Sequence, residues 1–117
     1  MAHFIGRSGA HLESIASSYD SETGRYGGEL RVQLLLKSGS SNVFFAQLES
    51  QKAGIERDMG EPLVWYAPPD ARTRRIYVRR SGDISERDRW PEYHAWLKEK
   101  LESFDRVFRP RVGTLQA

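Results

Sequence analysis

The chain has no cysteine among its 117 residues. That excludes a disulfide scaffold and any thiolate metal site. Long apolar runs are also missing: none approaches the roughly 18 residues that a membrane-spanning helix needs. The first eight residues lack the charged-then-apolar pattern of a secretory leader. These absences lead us to expect a cytoplasmic protein with no membrane contact. Histidine is scarce, and His3, His11 and His94 stand too far apart to form a zinc motif. Neither a P-loop nor a dinucleotide fingerprint occurs. Gly6-Arg7-Ser8-Gly9 resembles a nucleophile turn, but Ala10 breaks the G-x-S-x-G form. A metal-dependent nuclease needs carboxylates, and usually a lysine, converging at the end of a strand pair. Glu29 precedes a strand without such a partner, and Glu49 and Lys52 read as helix surface. The sequence therefore implies no catalytic residues, no metal and no cofactor.

What is present is the composition of one folded domain. The length suits a single hydrophobic core, and the net charge is only +2. The distribution of charge says more. Arg72, Arg74, Arg75, Arg79 and Arg80 fall in a nine-residue stretch without an acid. Such a strand reads either as a solvated face guarded against aggregation or as an anion-binding surface.

Periodicity sets the architecture. Phe44, Leu48, Ile55 and Met59 share one helical face, widened by Val43 and Phe45, which predicts a helix over about 41–59. Gly60 and Pro62 stop it. Gly54, inside it, signals either close packing or nothing. Trp90, Tyr93, Leu97, Leu101, Phe104 and Phe108 predict a second helix over about 88–108, capped by Asp88, with Pro91 in its first turn and Pro110 at its end. The three tryptophans read as packing residues. Leu30, Val32, Leu34 and Leu36 alternate with Arg31, Gln33, Leu35 and Lys37, as in a half-buried strand. Ile76 and Val78 alternate in the same way with Arg75, Tyr77 and Arg79. Leu63 to Tyr66 is a short strand, joined to the next by a turn at Pro68-Pro69-Asp70. A further strand is expected over 11–19, with a glycine-rich hairpin loop at 23–28. The expected fold is α+β: a ββαββα two-layer sandwich with a four-stranded antiparallel sheet and two helices on one face. Residues 1–110 form the domain, and 111–117 are expected to be a flexible tail.

The uncovered sheet face would then carry Arg31, Lys37, Arg75, Tyr77 and Arg79. Arginine forks contact phosphates and tyrosine stacks on bases, so these five are the candidate nucleic-acid-binding residues. The competing reading is a protein-interaction or dimerisation surface, with Leu35 and Tyr77 as anchors.

The order of packing residues also resembles a known bacterial family. Phe44-Phe45, Leu48, Gln51-Lys52, Ile55-Glu56, Met59-Gly60 and Leu63-Val64-Trp65 carry the resemblance. So do Arg75-Ile76, the loop around Asp83, Trp90-Pro91-Glu92, Trp96-Leu97 and the run from Phe104 to Phe108. Over roughly 29–111 this is similar to the domain of unknown function numbered 4268. Members often follow a restriction-endonuclease-like nuclease domain. The resemblance thus implies an accessory domain in restriction or phage defence, whose partners are DNA, a nuclease domain or a second copy. It carries over no catalytic residues. The nuclease portion, and the helix expected before the first strand, are not in this sequence.

Overall fold

In the computed structural model, described for residues 2–5, 9–37, 39–69 and 71–116, strand β3 (Arg25–Leu36) is the spine of the sheet. It pairs on one side with β2 (Ala10–Asp20) and on the other with β5 (Arg74–Ser81). The short β4 (Val64–Tyr66) extends β5, and β1 (Ala2–Phe4) extends β2. The described strands form one sheet in the order β1-β2-β3-β5-β4, with every neighbouring pair antiparallel. The expected four-stranded α+β sandwich is present, with the three-residue β1 added at one edge.

Alternation decides the faces. Leu12, Leu30, Val32, Leu34, Leu36, Ile76 and Val78 are all buried on one side. On them pack α1 (Ser41–Glu49), α2 (Lys52–Met59) and α3 (Trp90–Val112), through Phe44, Phe45, Leu48, Ile55, Phe104 and Phe108. Each such side chain contributes about 1.5–3 kcal/mol by leaving water. None of the helices among the described residues is long and apolar enough to cross a membrane.

Several local details depart from expectation. The predicted first helix is two helices. Ser50 turns its hydroxyl back to the Gln47 carbonyl (2.6 Å), and the Gln51 N–H bonds the Leu48 carbonyl (2.9 Å), which breaks the ladder. Val43 faces water, at 45 % exposure, and so does Trp90, at 39 %. Trp90 is held instead by its indole N–H, which donates to the Ile84 carbonyl (2.6 Å). Trp65 and Trp96 do pack on the core. A Cβ on Gly54 would meet only arginine side-chain ends at ordinary contact distance, so no close packing demands a glycine there.

The β2–β3 turn is tighter than the expected 23–28 loop. Asp20 Oδ1 accepts the N–H groups of Glu22 (2.9 Å) and Thr23 (3.2 Å), and Gly24 takes a positive φ of 72°. Gly28 is needed for another reason. A Cβ there would lie 2.1 Å from the Gly82 carbonyl oxygen, where the chain just past β5 runs close against β3. The second helix runs on through Pro110 to Val112. Val112 and Leu115 are buried, and Gln47 accepts the Gln116 N–H (3.1 Å), so the segment expected to be a loose tail packs against α1. The Gly6-Arg7-Ser8 motif and Asp70 of the predicted turn lie outside the described residues.

Candidate functional site

The two ends of the sheet's uncovered face hold the candidate residues in different states. At the hairpin end, Arg79 is gripped on three sides. Its Nε lies 2.6 Å from Glu29 Oε1, Nη1 2.5 Å from Glu22 Oε2, and Nη2 2.8 Å from Asp20 Oδ1. Arg31 Nη2 reaches Glu29 Oε2 (3.1 Å) and donates to Ser21 Oγ (2.8 Å). Its guanidinium also lies over the Tyr77 ring, 4.1 Å from the centroid. The Ser21 hydroxyl in turn donates to Glu29 (2.6 Å).

Glu29 and Asp20 are buried, at 4 % and 6 % exposure. Burial pushes both carboxyls up. For Asp20 the Thr23 and Glu22 N–H groups and Arg79 outweigh it and hold the group below its ordinary value. For Glu29, Ser21, Arg79 and Arg31 do the same. Burial lowers the Arg79 guanidinium, but Glu29, Asp20 and Glu22 more than reverse that. Three carboxylates thus face two guanidiniums in one ion-pair network, in which Arg31 Nε and Arg79 Nη2 are buried without a hydrogen-bond partner among the described residues.

The opposite end differs. Lys37 and Arg72 are exposed, just past β3 and just before β5. Arg74 is buried, at 8 % exposure, and its guanidinium donates to the carbonyls of Ala71 and Thr73. Arg75 is half-buried on the uncovered face, across from Leu35 on one strand and Tyr66 on the other, and its buried Nε has no hydrogen-bond partner among the described residues. Among the described residues, no carboxylate comes within 4 Å of Lys37, Arg72, Arg74 or Arg75.

Two depressions follow. A groove of about 420 Å³ runs over the uncovered face between the hairpin tip and β4, lined by Arg31, Val64, Tyr66, Arg75, Tyr77 and Arg79 together with Ser21 and Glu22. A second cleft of about 490 Å³ lies at the start of α1, between Lys37, Ser41, Asn42, Arg72 and Arg74. Of the five predicted residues, the groove gathers Arg31, Arg75, Tyr77 and Arg79, whereas Lys37 belongs to the cleft. Sequence reasoning missed Tyr66, Arg72 and Arg74 as site residues, although the acid-free run from 72 to 80 pointed at two of them. It also missed the three carboxylates on Arg79, because the chain brings Glu29 and Arg79 together across 50 residues.

A family model described as a domain of unknown function (DUF4268) matches residues 1–112. The chain belongs to that family. The match runs from β1 to the end of α3, so both ends of the sheet lie within the family domain. No curated protein and no solved structure gives a significant match.

Proposed function

We propose that this domain is a non-catalytic accessory module that binds the phosphate backbone of nucleic acid in a bacterial restriction or phage-defence system. The defence setting rests on the family resemblance alone. The binding surface rests on one observation: at one end of the sheet Lys37, Arg72 and the buried Arg74 line the cleft at the start of α1, Arg75 lies on the uncovered face, and no described carboxylate comes within 4 Å of any of them. Unpaired cations at a surface attract a polyanion and exchange their counterions for phosphates. Beside Arg75 the exposed ring of Tyr66 gives bases a face to stack on, whereas the Tyr77 ring already carries the Arg31 guanidinium. Arg31 and Arg79 play a smaller part in this reading than their sequence position suggests, because their charge is already spent on Asp20, Glu22 and Glu29.

A salt titration of binding to labelled DNA tests the proposal. Four phosphate contacts give a log–log slope of roughly −3 to −4, depending on whether the DNA is single- or double-stranded. Undetectable affinity at low salt, or affinity indifferent to salt, rejects it.

A second reading has its own observation. Ala16, Leu30, Ile84, Trp90, Tyr93, His94 and Leu97 line an apolar groove on the helix side of the hairpin. Tyr26, on the same strand as Leu30 but beyond the irregularity in the β2–β3 register, is 82 % exposed. Such a patch suits a protein partner or a second copy. Leu35, the anchor expected from sequence, is nearly inaccessible at 9 % exposure. Sedimentation equilibrium separates the readings: a monomer at all concentrations counts against a second copy on this groove.

A further inference from the structure

The cleft at the start of α1 holds an electrostatic imbalance that the packing of the described residues does not explain. Arg74 is nearly as enclosed as the acids at the hairpin end, yet among the described residues its guanidinium hydrogen-bonds backbone carbonyls alone. Burying a cation costs several kcal/mol unless an anion offsets it. Arg79, the other enclosed arginine on this strand, has three carboxylates for that purpose. For Arg74 the described residues supply none. Lys37 and Arg72 line the same cleft and add two more positive charges.

The first turn of α1 opens there as well. It contains no acidic residue and no side-chain cap hydrogen bond, and helix-starting N–H groups have no partner within their own helix. Ser41 donates its hydroxyl to the Arg72 carbonyl (2.8 Å), which ties the Arg72 segment to the helix start. Three cations and a helix N-terminus therefore converge on one concave space.

We propose that this cleft is a phosphate site that takes a phosphomonoester, such as the terminal phosphate of a nucleic-acid strand. Three positive charges match a dianion better than the single charge of a phosphodiester. A concave pocket also suits a group attached at one end more than a backbone that must continue at both. The strand-end source rests on the nucleic-acid reading; the phosphate chemistry does not, since inorganic phosphate presents the same oxygens.

The test uses the intact chain, labelled with nitrogen-15 and titrated with inorganic phosphate while sodium chloride holds ionic strength constant. The Ser41 and Asn42 amides are expected to shift and saturate. The Lys37→Gln/Arg72→Gln double variant changes only exposed side chains, and the rest of its spectrum reports whether the fold is intact. It is expected to bind phosphate about fivefold more weakly or worse, as for two lost charge-assisted contacts. Shifts that never saturate, that chloride reproduces, or that the double variant leaves unchanged overturn the site. So does a wild-type chain blind to phosphate whose Asp70→Asn variant binds it, because the cations would then be neutralised from within.

An oligonucleotide with a terminal phosphate is expected to bind about fivefold tighter than the same strand without one. Equal, salt-sensitive affinity for the two refutes the strand-end assignment and leaves the nucleic-acid reading standing. Saturable phosphate binding without oligonucleotide binding at low salt supports the site and refutes that reading.

Discussion

Arg79 and Arg74 sit five residues apart on one strand, and both are largely enclosed, yet they live in opposite electrostatic settings. Arg79 lies among Asp20, Glu22 and Glu29; among the described residues, Arg74 hydrogen-bonds backbone carbonyls and pairs with no carboxylate. The same side chain is a structural clasp at the hairpin end of the sheet and a charge without a described counter-ion at the other. An arginine count does not distinguish these roles, because the role depends on which carboxylates the fold delivers. The hairpin end spends its charge on holding β2, β3 and β5 together. The other end, on our proposal, keeps its charge for phosphate groups of a partner.

The comparison breaks most readily at the hairpin end. Glu29→Ala leaves Arg79 and Arg31 short of a buried counter-ion and is expected to destabilise the domain by about 3–5 kcal/mol in denaturant unfolding. A loss below about 1 kcal/mol would mean that the network is ornamental. Removing both exposed cations at the other end, by Lys37→Gln and Arg72→Gln, is expected to change stability by no more than about 0.5 kcal/mol each while weakening DNA binding. A large stability loss there would erase the distinction between the ends.

Acid should act on the hairpin end first. Asp20 and Glu29 titrate below their ordinary values in the fold, so the stability they contribute is complete above the unfolded values and is lost as pH falls through the folded ones. Thermal melts should therefore be flat near neutrality and decline once pH drops below the ordinary glutamate value of 4.5. In Glu29→Gln that decline should be shallower. An unchanged acid profile in this variant would remove Glu29 from the account.

The smallest effect lies outside both ends and serves as a control. Gly54→Ala in α2 should stabilise the domain by up to about 1 kcal/mol, since nothing crowds the position and alanine is the better helix former. It should leave DNA binding unaltered.

How much of this the sequence disclosed follows from which interactions are local. Period-two alternation at Leu30–Leu36 and Ile76–Val78, and the helical spacing of Phe104 and Phe108, identified the buried faces, because a face is a property of one strand or helix. The turn at Ser21–Gly24 stayed hidden because Asp20 builds it through its own side chain, while the glycines at 27 and 28 drew the loop downstream. Gly28 instead makes room for the backbone at Gly82 and Asp83, just past β5. Trp90 looked like core because hydrophobicity alone cannot show that its ring stays partly in water, held by the Ile84 carbonyl. The site was the least legible part. Alternation put Arg31 and Arg79 on the uncovered face, but their partners come from the hairpin turn and the start of β3, which no spacing rule connects to residue 79. The acid-free run around Arg74 was visible, but that no described carboxylate comes within 4 Å of Arg72, Arg74 or Arg75 depends on the fold, which no spacing rule supplies.

The central claim is that the Lys37–Arg72–Arg74–Arg75 end carries the domain's interaction with nucleic acid. The most direct measurement is the salt dependence of DNA affinity for the wild-type chain and for Lys37→Gln/Arg72→Gln, side by side. If those two side chains meet phosphates, the log–log slope should become shallower by roughly 1.4–1.8 in the double variant. A slope that does not move, with affinity unchanged, would contradict the account.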